Sequence, residues 1–244
     1  MRILAIESAT ESASCALTQD GKVVAEFTLQ NKQTHSQTLL PMIDAMCAMT
    51  GTKPDDLDVV AVSRGPGSFT GLRIGAATGK GIALPFDTKM ASVPTLYGMA
   101  CAIREASDRV IVPVIDARRQ HVYAAAYSAG KDGTLTEELG ECVISSADLT
   151  GKLQTLGRQV LLTGDGVKVV LPALLSAGLD VRMCPPSLSY ARAAGVALAA
   201  QSMADRGELI TSDAMAPVYL RLSQAERKRR EEKNLTGKEA QKCC

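Results

Sequence analysis

The chain predicts an α/β protein built as two similar lobes. Three observations carry this reading. Apolar, β-branched runs and helix-spaced stretches follow one another in the order βββαβαβα over the first half. The opening pattern then recurs: IVPVIDARRQHVYAAAY (111–127) parallels ILAIESATESASCAL (3–17), each an apolar strand ending in an acid, then a polar turn and a second strand. Finally, RGPGSFTGLRIGAATGKGIA (64–83) follows the apolar run DVVAVS (58–63), a strand, a glycine turn and a helix in succession.

Taken in order, ILAIES and SCALTQ are β-prone, and Asp20-Gly21 supplies a type I′ turn into KVVAEFTLQ, giving three antiparallel strands. From His35 the spacing turns helical, with Leu39, Ile43, Met46 and Thr50 on one stripe and a stop at Gly51. The strand 58–63, the glycine turn with its helix, the run MASV (90–93) and a helix over about 95–106 complete a first lobe, 1–108. In the second lobe, 109–222, Asp116 corresponds to Glu7 and Asp132-Gly133 to Asp20-Gly21. A helix over 146–156, strand QVLLTG (159–164), a GDG turn, a helix over 167–177 and the run VRMCPP follow. Ser189 is placed to cap a long helix, 189–206, closed by Gly207 and able to pack back on the first lobe. The stretch 223–244 is polar and charge-mixed and predicts a flexible tail.

Composition excludes several classes. With 46% apolar residues in 244, the chain has material for a sizeable core. No run of about 18 apolar residues suggests a membrane span, and Glu7 interrupts any apolar leader, so a cytoplasmic protein is expected. Seven cysteines show no CxxC spacing; five lie singly in apolar segments and read as small core residues, and two form a terminal pair. A net charge of +1 does not suit a protein that grips nucleic acid alone.

The glycine turn fails both familiar phosphate signatures. A P-loop needs GxxxxGK[ST], but Leu72 and Arg73 follow Gly71, and Gly65, Gly67 and Gly71 give GxGxxxG rather than GxGxxG. A strand, a glycine turn and a helix start still point backbone N–H groups at one place, so anion binding stays open. Within the helix, Gly71, Gly75, Gly79 and Ala83 recur every fourth residue and leave one face bare. Each interior glycine costs about 0.5–1 kcal/mol relative to alanine, so something offsets the loss. Two readings remain: close packing on the chain's own sheet, or approach of a helix from another subunit beside Leu39, Ile43 and Met46. On the second, a bulky residue at Gly75 or Gly79 abolishes assembly and leaves the monomer folded.

ILAIESATESASCAL, HSQTLLPMI, SRGPGSFTGLRIGAATGKGIA, SVPTLYGMA and PVYLR together resemble the TsaB (YeaZ) family through nearly all of residues 1–222. The resemblance implies two duplicated ribonuclease-H-like lobes of the actin, hexokinase and sugar-kinase type. It implies a part in making threonylcarbamoyladenosine in tRNA, as the non-catalytic platform for a catalytic TsaD-like paralogue and a TsaE-like ATPase. Homodimerisation is expected without those partners, and tRNA contact only through the complex. The expected interface comprises Leu39, Ile43, Met46, Gly71, Leu72, Ile74, Gly75, Thr78 and Gly79 on the helices over 35–50 and 70–84. The HxxxH metal pair of the catalytic paralogue is replaced by Thr95 and Met99, and the two histidines, His35 and His121, stand far apart in sequence, so no metal site is expected. A nucleotide, by analogy with actin-like ATPases, would meet Glu7, Ser8, Thr10, Glu11, Asp116, Gly164 and Gly166. That set defines the alternative function, an independent ATPase or small-molecule kinase; otherwise ATP and magnesium are expected only at the level of the complex.

Overall fold

A computed structural model describes residues 1–31, 33–104 and 109–221. The expected lobe junction near 105–109 falls largely, and the expected flexible tail wholly, outside the described residues. The chain forms β1 (Arg2–Glu7), β2 (Ala13–Gln19), β3 (Lys22–Leu29), α1 (His35–Thr50), β4 (Val59–Gly65), α2 (Phe69–Ala83), β5 (Lys89–Pro94) and α3 (Thr95–Cys101). It continues with β6 (Val110–Asp116), β7 (His121–Ala129), β8 (Leu135–Ser145), α4 (Ser146–Leu156), β9 (Val160–Thr163), α5 (Val167–Ser176), β10 (Val181–Met183) and α6 (Ala193–Asp205).

The duplication is visible strand by strand. One sheet runs β3-β2-β1-β4-β5 and the other β8-β7-β6-β9-β10. In each, the first three strands are antiparallel neighbours and the last two run parallel to the first. Glu7 and Asp116 end the two equivalent central strands. Asp20 and Gly21 both take positive φ, as a type I′ turn demands. The strand β8 was not among the sequence expectations. Its run LTEELGECVIS is mostly half-buried and polar, so it lacks the alternation that marks a one-sided strand.

Helix α6 begins at Ala193, not Ser189, which belongs to a short 3-10 turn and its end. Its first free amides are capped by the other lobe: Ala193 N–H donates to Ser14 Oγ at 3.1 Å and Ala194 N–H to Glu26 Oε1 at 2.9 Å. Arg192 pairs with the same Glu26. These contacts seat the helix on the first sheet, where Ala193, Val196, Ala197 and Ala200 bury against Ile3, Ala5 and Ala61. A carboxylate at a helix start also meets the positive end of the macrodipole.

The bare stripe of α2 faces its own sheet. A methyl group built on Gly71 would lie 2.1 Å from the Ser8 carbonyl oxygen, on Gly75 2.2 Å from Ser8 Oγ, and on Gly79 2.5 Å from Val62 Cγ2. The glycines bring α2 down onto β1 and β4, and Ser8 Oγ donates to Gly71 O at 2.9 Å across the contact. Leu39, Ile43, Met46 and Leu72 are likewise core, each under 5% exposed. The expected partner contact is therefore corrected: Leu39, Ile43, Met46, Gly71, Leu72, Gly75 and Gly79 belong to the interior. Ile74 and Thr78 alone of that set keep part of their surface. A bulky residue at Gly75 or Gly79 would disturb the monomer itself. Gly81 is different, since a methyl there meets nothing within 4 Å.

Candidate functional site

The two lobes enclose a cleft of about 940 Å³. The turn after β1 (Ala9, Thr10, Glu11, Ser12), the start of α2, the ends of β6 and β9, and the segment Val218–Arg221 line it. Of the residues expected to meet a nucleotide, Thr10, Glu11, Asp116 and Gly164 reach this cleft.

Glu7 and Ser8 do not. Glu7 is buried beneath its turn, and its Oε1 accepts from Ala9 N–H at 2.6 Å. Burial pushes its carboxyl up to about 7, with hydrogen bonds from Ala9, Ser63 and Ser8 opposing. Ser8 is wholly buried against α2. Both hold the first lobe together and neither touches a cleft ligand, which corrects their placement in the nucleotide set.

Five amides of the two glycine turns are engaged internally. Gly65 N–H donates to Thr95 Oγ1 at 3.2 Å, Ser68 N–H to Ala9 O at 2.7 Å, and Gly71 N–H to Ser68 Oγ at 3.2 Å. In the second lobe, Gly164 N–H donates to Ser189 O and Gly166 N–H to Val114 O. The glycines at 164 and 166 are required because a methyl at either would crowd the β6 backbone, at 2.0 and 3.0 Å. Gly166 thus serves the turn and stays out of the cleft lining. Phosphate cradles instead leave such amides free for the ligand.

Asp116 and Asp165 are similarly committed. Asp116 Oδ1 accepts from Arg118 N–H at 2.7 Å, and Arg118 and Lys168 approach Asp116 Oδ2 at 3.7 and 3.9 Å. Asp165 Oδ1 accepts from Asp116 N–H at 3.0 Å; burial raises its carboxyl, the Asp116 backbone opposing. Among the described residues no three His, Cys, Asp or Glu side chains are placed to share a metal ion. In the first lobe the residues do not fit a magnesium-nucleotide site of the actin-like kind, because the strand-end acid Glu7 is buried away from the cleft; its second-lobe counterpart Asp116 does reach it. His35 Nε2–H donates to Thr10 O and His121 Nδ1–H to Arg119 O, each at 2.8 Å, so both imidazoles brace turns.

The segment around PVYLR ties the cleft shut at one side. Val218 N–H donates to Arg64 O in the first lobe and Arg221 Nη1 to Ala117 O in the second. Tyr219 stacks on Phe69 at 4.4 Å, and the Arg73 guanidinium lies 4.0 Å over the Phe69 ring. Sequence reasoning missed Asp165, Lys168, Tyr219 and Arg221 as cleft residues. Only the acid between Gly164 and Gly166 carried a local signal.

The glycine turn closed on its own backbone, the two equivalent sheets and the PVYLR strap agree with the resemblance read from the sequence. A family model described as "TsaD: tRNA N6-adenosine threonylcarbamoyltransferase" matches residues 22–228. The chain is 35% identical over 240 residues to the tRNA threonylcarbamoyladenosine biosynthesis protein TsaB of Escherichia coli K12, covering 98% of this chain and 100% of that one. The chain belongs to the TsaB family. The TsaB protein of Bacillus subtilis is 33% identical over 164 residues, 67% of this chain and 71% of that one. YeaZ from Pseudomonas aeruginosa superposes with a TM-score of 0.73 at 26% identity, over 90% of this chain and 99% of that chain. The two-lobed fold expected from the family is the one found. No helix among the described residues is long and apolar enough to cross a membrane.

The five inner cysteines are free thiols; Cys15, Cys101 and Cys184 are buried as expected of core residues, whereas Cys47 and Cys142 are half-buried. Burial pushes Cys15 up to about 12 and Cys101 up to about 11, far from the thiolate a nucleophile needs.

Proposed function

We propose that this protein is a cytoplasmic, non-catalytic subunit of the machinery that makes threonylcarbamoyladenosine in tRNA, holding a TsaD-like catalytic paralogue and a TsaE-like ATPase. Two kinds of support converge. Family membership supplies the pathway, and in the cleft Glu7 is buried away from any ligand while the Asp116 carboxylate and several turn amides are bonded within the chain itself. ATP and magnesium then enter at the level of the complex, and tRNA is met only there.

The observation that carries the scaffold reading is the outer surface of two neighbouring helices. Leu40 and Met49 on α1 are 58% and 78% exposed, and Leu84 and Phe86 just beyond α2 are 59% and 49% exposed. Isolated exposed leucines are ordinary, but four large apolar side chains left exposed on adjacent elements suit a protein partner. This surface, with Ile74 and Thr78, replaces the glycine stripe as the partner face, and a second copy of the chain would use it when the paralogue is absent. Reconstitution tests the reading: leaving this protein out of a mixture of the paralogue, the ATPase, ATP, bicarbonate, threonine and tRNA should stop modification. Undiminished modification would overturn it.

A further inference from the structure

A second cavity, of about 470 Å³, shares no lining residue with the cleft. It lies where the ends of β4 and β5 meet β7 and β8, with α3 and the end of α6 closing it. Tyr127, Leu135 and Met203 provide apolar walls, and Arg64 and Glu141 enter from opposite lobes.

Three of the polar side chains around this cavity are paired with one another. Arg206 donates to both oxygens of Glu208, at 2.7 and 2.9 Å, and also interacts with Tyr97. Arg64 and Glu141 differ from these. Arg64 Nε, a donor, and Glu141 Oε1, an acceptor, are both shut off from solvent and have no partner. An unsatisfied buried polar atom is destabilising, more so when charged. The two opposite deficiencies occur in one cavity without answering each other. Burial pushes Glu141 up to about 7; the Arg64 charge and the Leu96 backbone oppose this without abolishing it. A carboxyl in that condition gains from an incoming cation.

An anion alone would answer Arg64 and leave Glu141 bare, and a cation alone would do the reverse. A molecule with a carboxylate and an adjacent ammonium answers both, and the apolar walls take a hydrocarbon side chain. We propose that this cavity binds a free α-amino acid with an apolar side chain, its carboxylate on Arg64, its ammonium on Glu141 and its side chain against Leu135 and Tyr127. The pocket lies within the size range of small-molecule sites. Small rotations of the two long side chains admit the ligand.

Isothermal titration of the full chain with L-leucine and L-phenylalanine tests this, beside 4-methylpentanoate, which lacks the ammonium, and 3-methylbutylamine, which lacks the carboxylate. At least one amino acid should bind saturably, with both single-charge analogues weaker by about tenfold or more, the worth of one charge-assisted hydrogen bond. Arg64→Met and Glu141→Gln should each weaken amino-acid binding about tenfold or more while circular dichroism shows the native fold. Glu141→Gln is isosteric and carries the test by itself if Arg64→Met does not fold. Absence of amino-acid binding at millimolar concentration overturns the proposal, as do analogues that bind equally well or a Glu141→Gln protein with undiminished affinity.

Discussion

Adding one methyl group at Gly71 separates the two explanations of the glycine stripe. Alanine is intrinsically better than glycine in a helix interior by about 1 kcal/mol. At Gly71 the new carbon would stand 2.1 Å from the Ser8 carbonyl oxygen, a backbone atom that cannot rotate aside. Helix α2 would have to lift from β1, breaking the 2.9 Å bond from Ser8 Oγ to Gly71 O. The bond contributes about 1 kcal/mol, and forced overpacking costs typically about 1–3 kcal/mol. After the propensity gain, Gly71→Ala should cost about 2 kcal/mol, a factor of about 30 in the folded ratio. With a urea slope of about 2 kcal/mol/M, the midpoint should fall by about 1 M. Gly81→Ala, on the open side of the same helix, meets no atom within 4 Å and should raise the midpoint by about 0.5 M. Urea titrations followed by far-UV circular dichroism give both numbers. A Gly71→Ala midpoint at or above the parent's would refute the packing argument, because it would mean that the bare face was not filled from within.

Glu7 makes stability depend on pH. Its carboxyl titrates at about 7 when folded and near 4.5 when unfolded, so the folded state holds the proton longer and stability falls as pH rises through this window. Between pH ~5.5 and ~8.5 this one group should remove about 2 kcal/mol, and Glu7→Gln should flatten that share of the urea-midpoint profile. Glu141 adds a fall of the same sign, so the profile of Glu7→Gln should still slope; an unchanged profile would mean that Glu7 is not buried as an acid. At the partner face, Leu40→Asp with Met49→Asp should leave the melting temperature within a few degrees and reduce co-purification of the paralogue about tenfold or more, since each buried large side chain is worth about 1.5–3 kcal/mol. Retained co-purification would move the interface elsewhere.

The fold was legible in the sequence where local signals and tertiary structure agree. Asp20-Gly21, Gly51 and the strand-ending acids Glu7 and Asp116 all stand where the pattern placed them. It was illegible where a residue is satisfied by something far along the chain. Ser189 is a good local cap, but α6 starts later because Ser14 and Glu26, some 168–179 residues away, supply its acceptors. The same limit governs the site. Glu7 has the sequence position of a catalytic acid, and only the fold shows that the turn amide of Ala9, two residues on, holds it inward. The glycine periodicity was visible, but its meaning depended on whether Ser8 and Val62 filled the stripe, and they do.

Arg64 joins the cleft to the rear cavity. Its carbonyl accepts from Val218 N–H and so holds the strap on the first lobe, its side chain lines the second cavity, and its successor Gly65 is tied to Thr95 at the start of α3. Only backbone atoms serve the cleft side. Replacing the Arg64 side chain should therefore empty the rear cavity of its donor and leave the strap in place, because carbonyl and amide are untouched. The same stretch of chain runs on into Gly67, Ser68 and Phe69, which line the cleft.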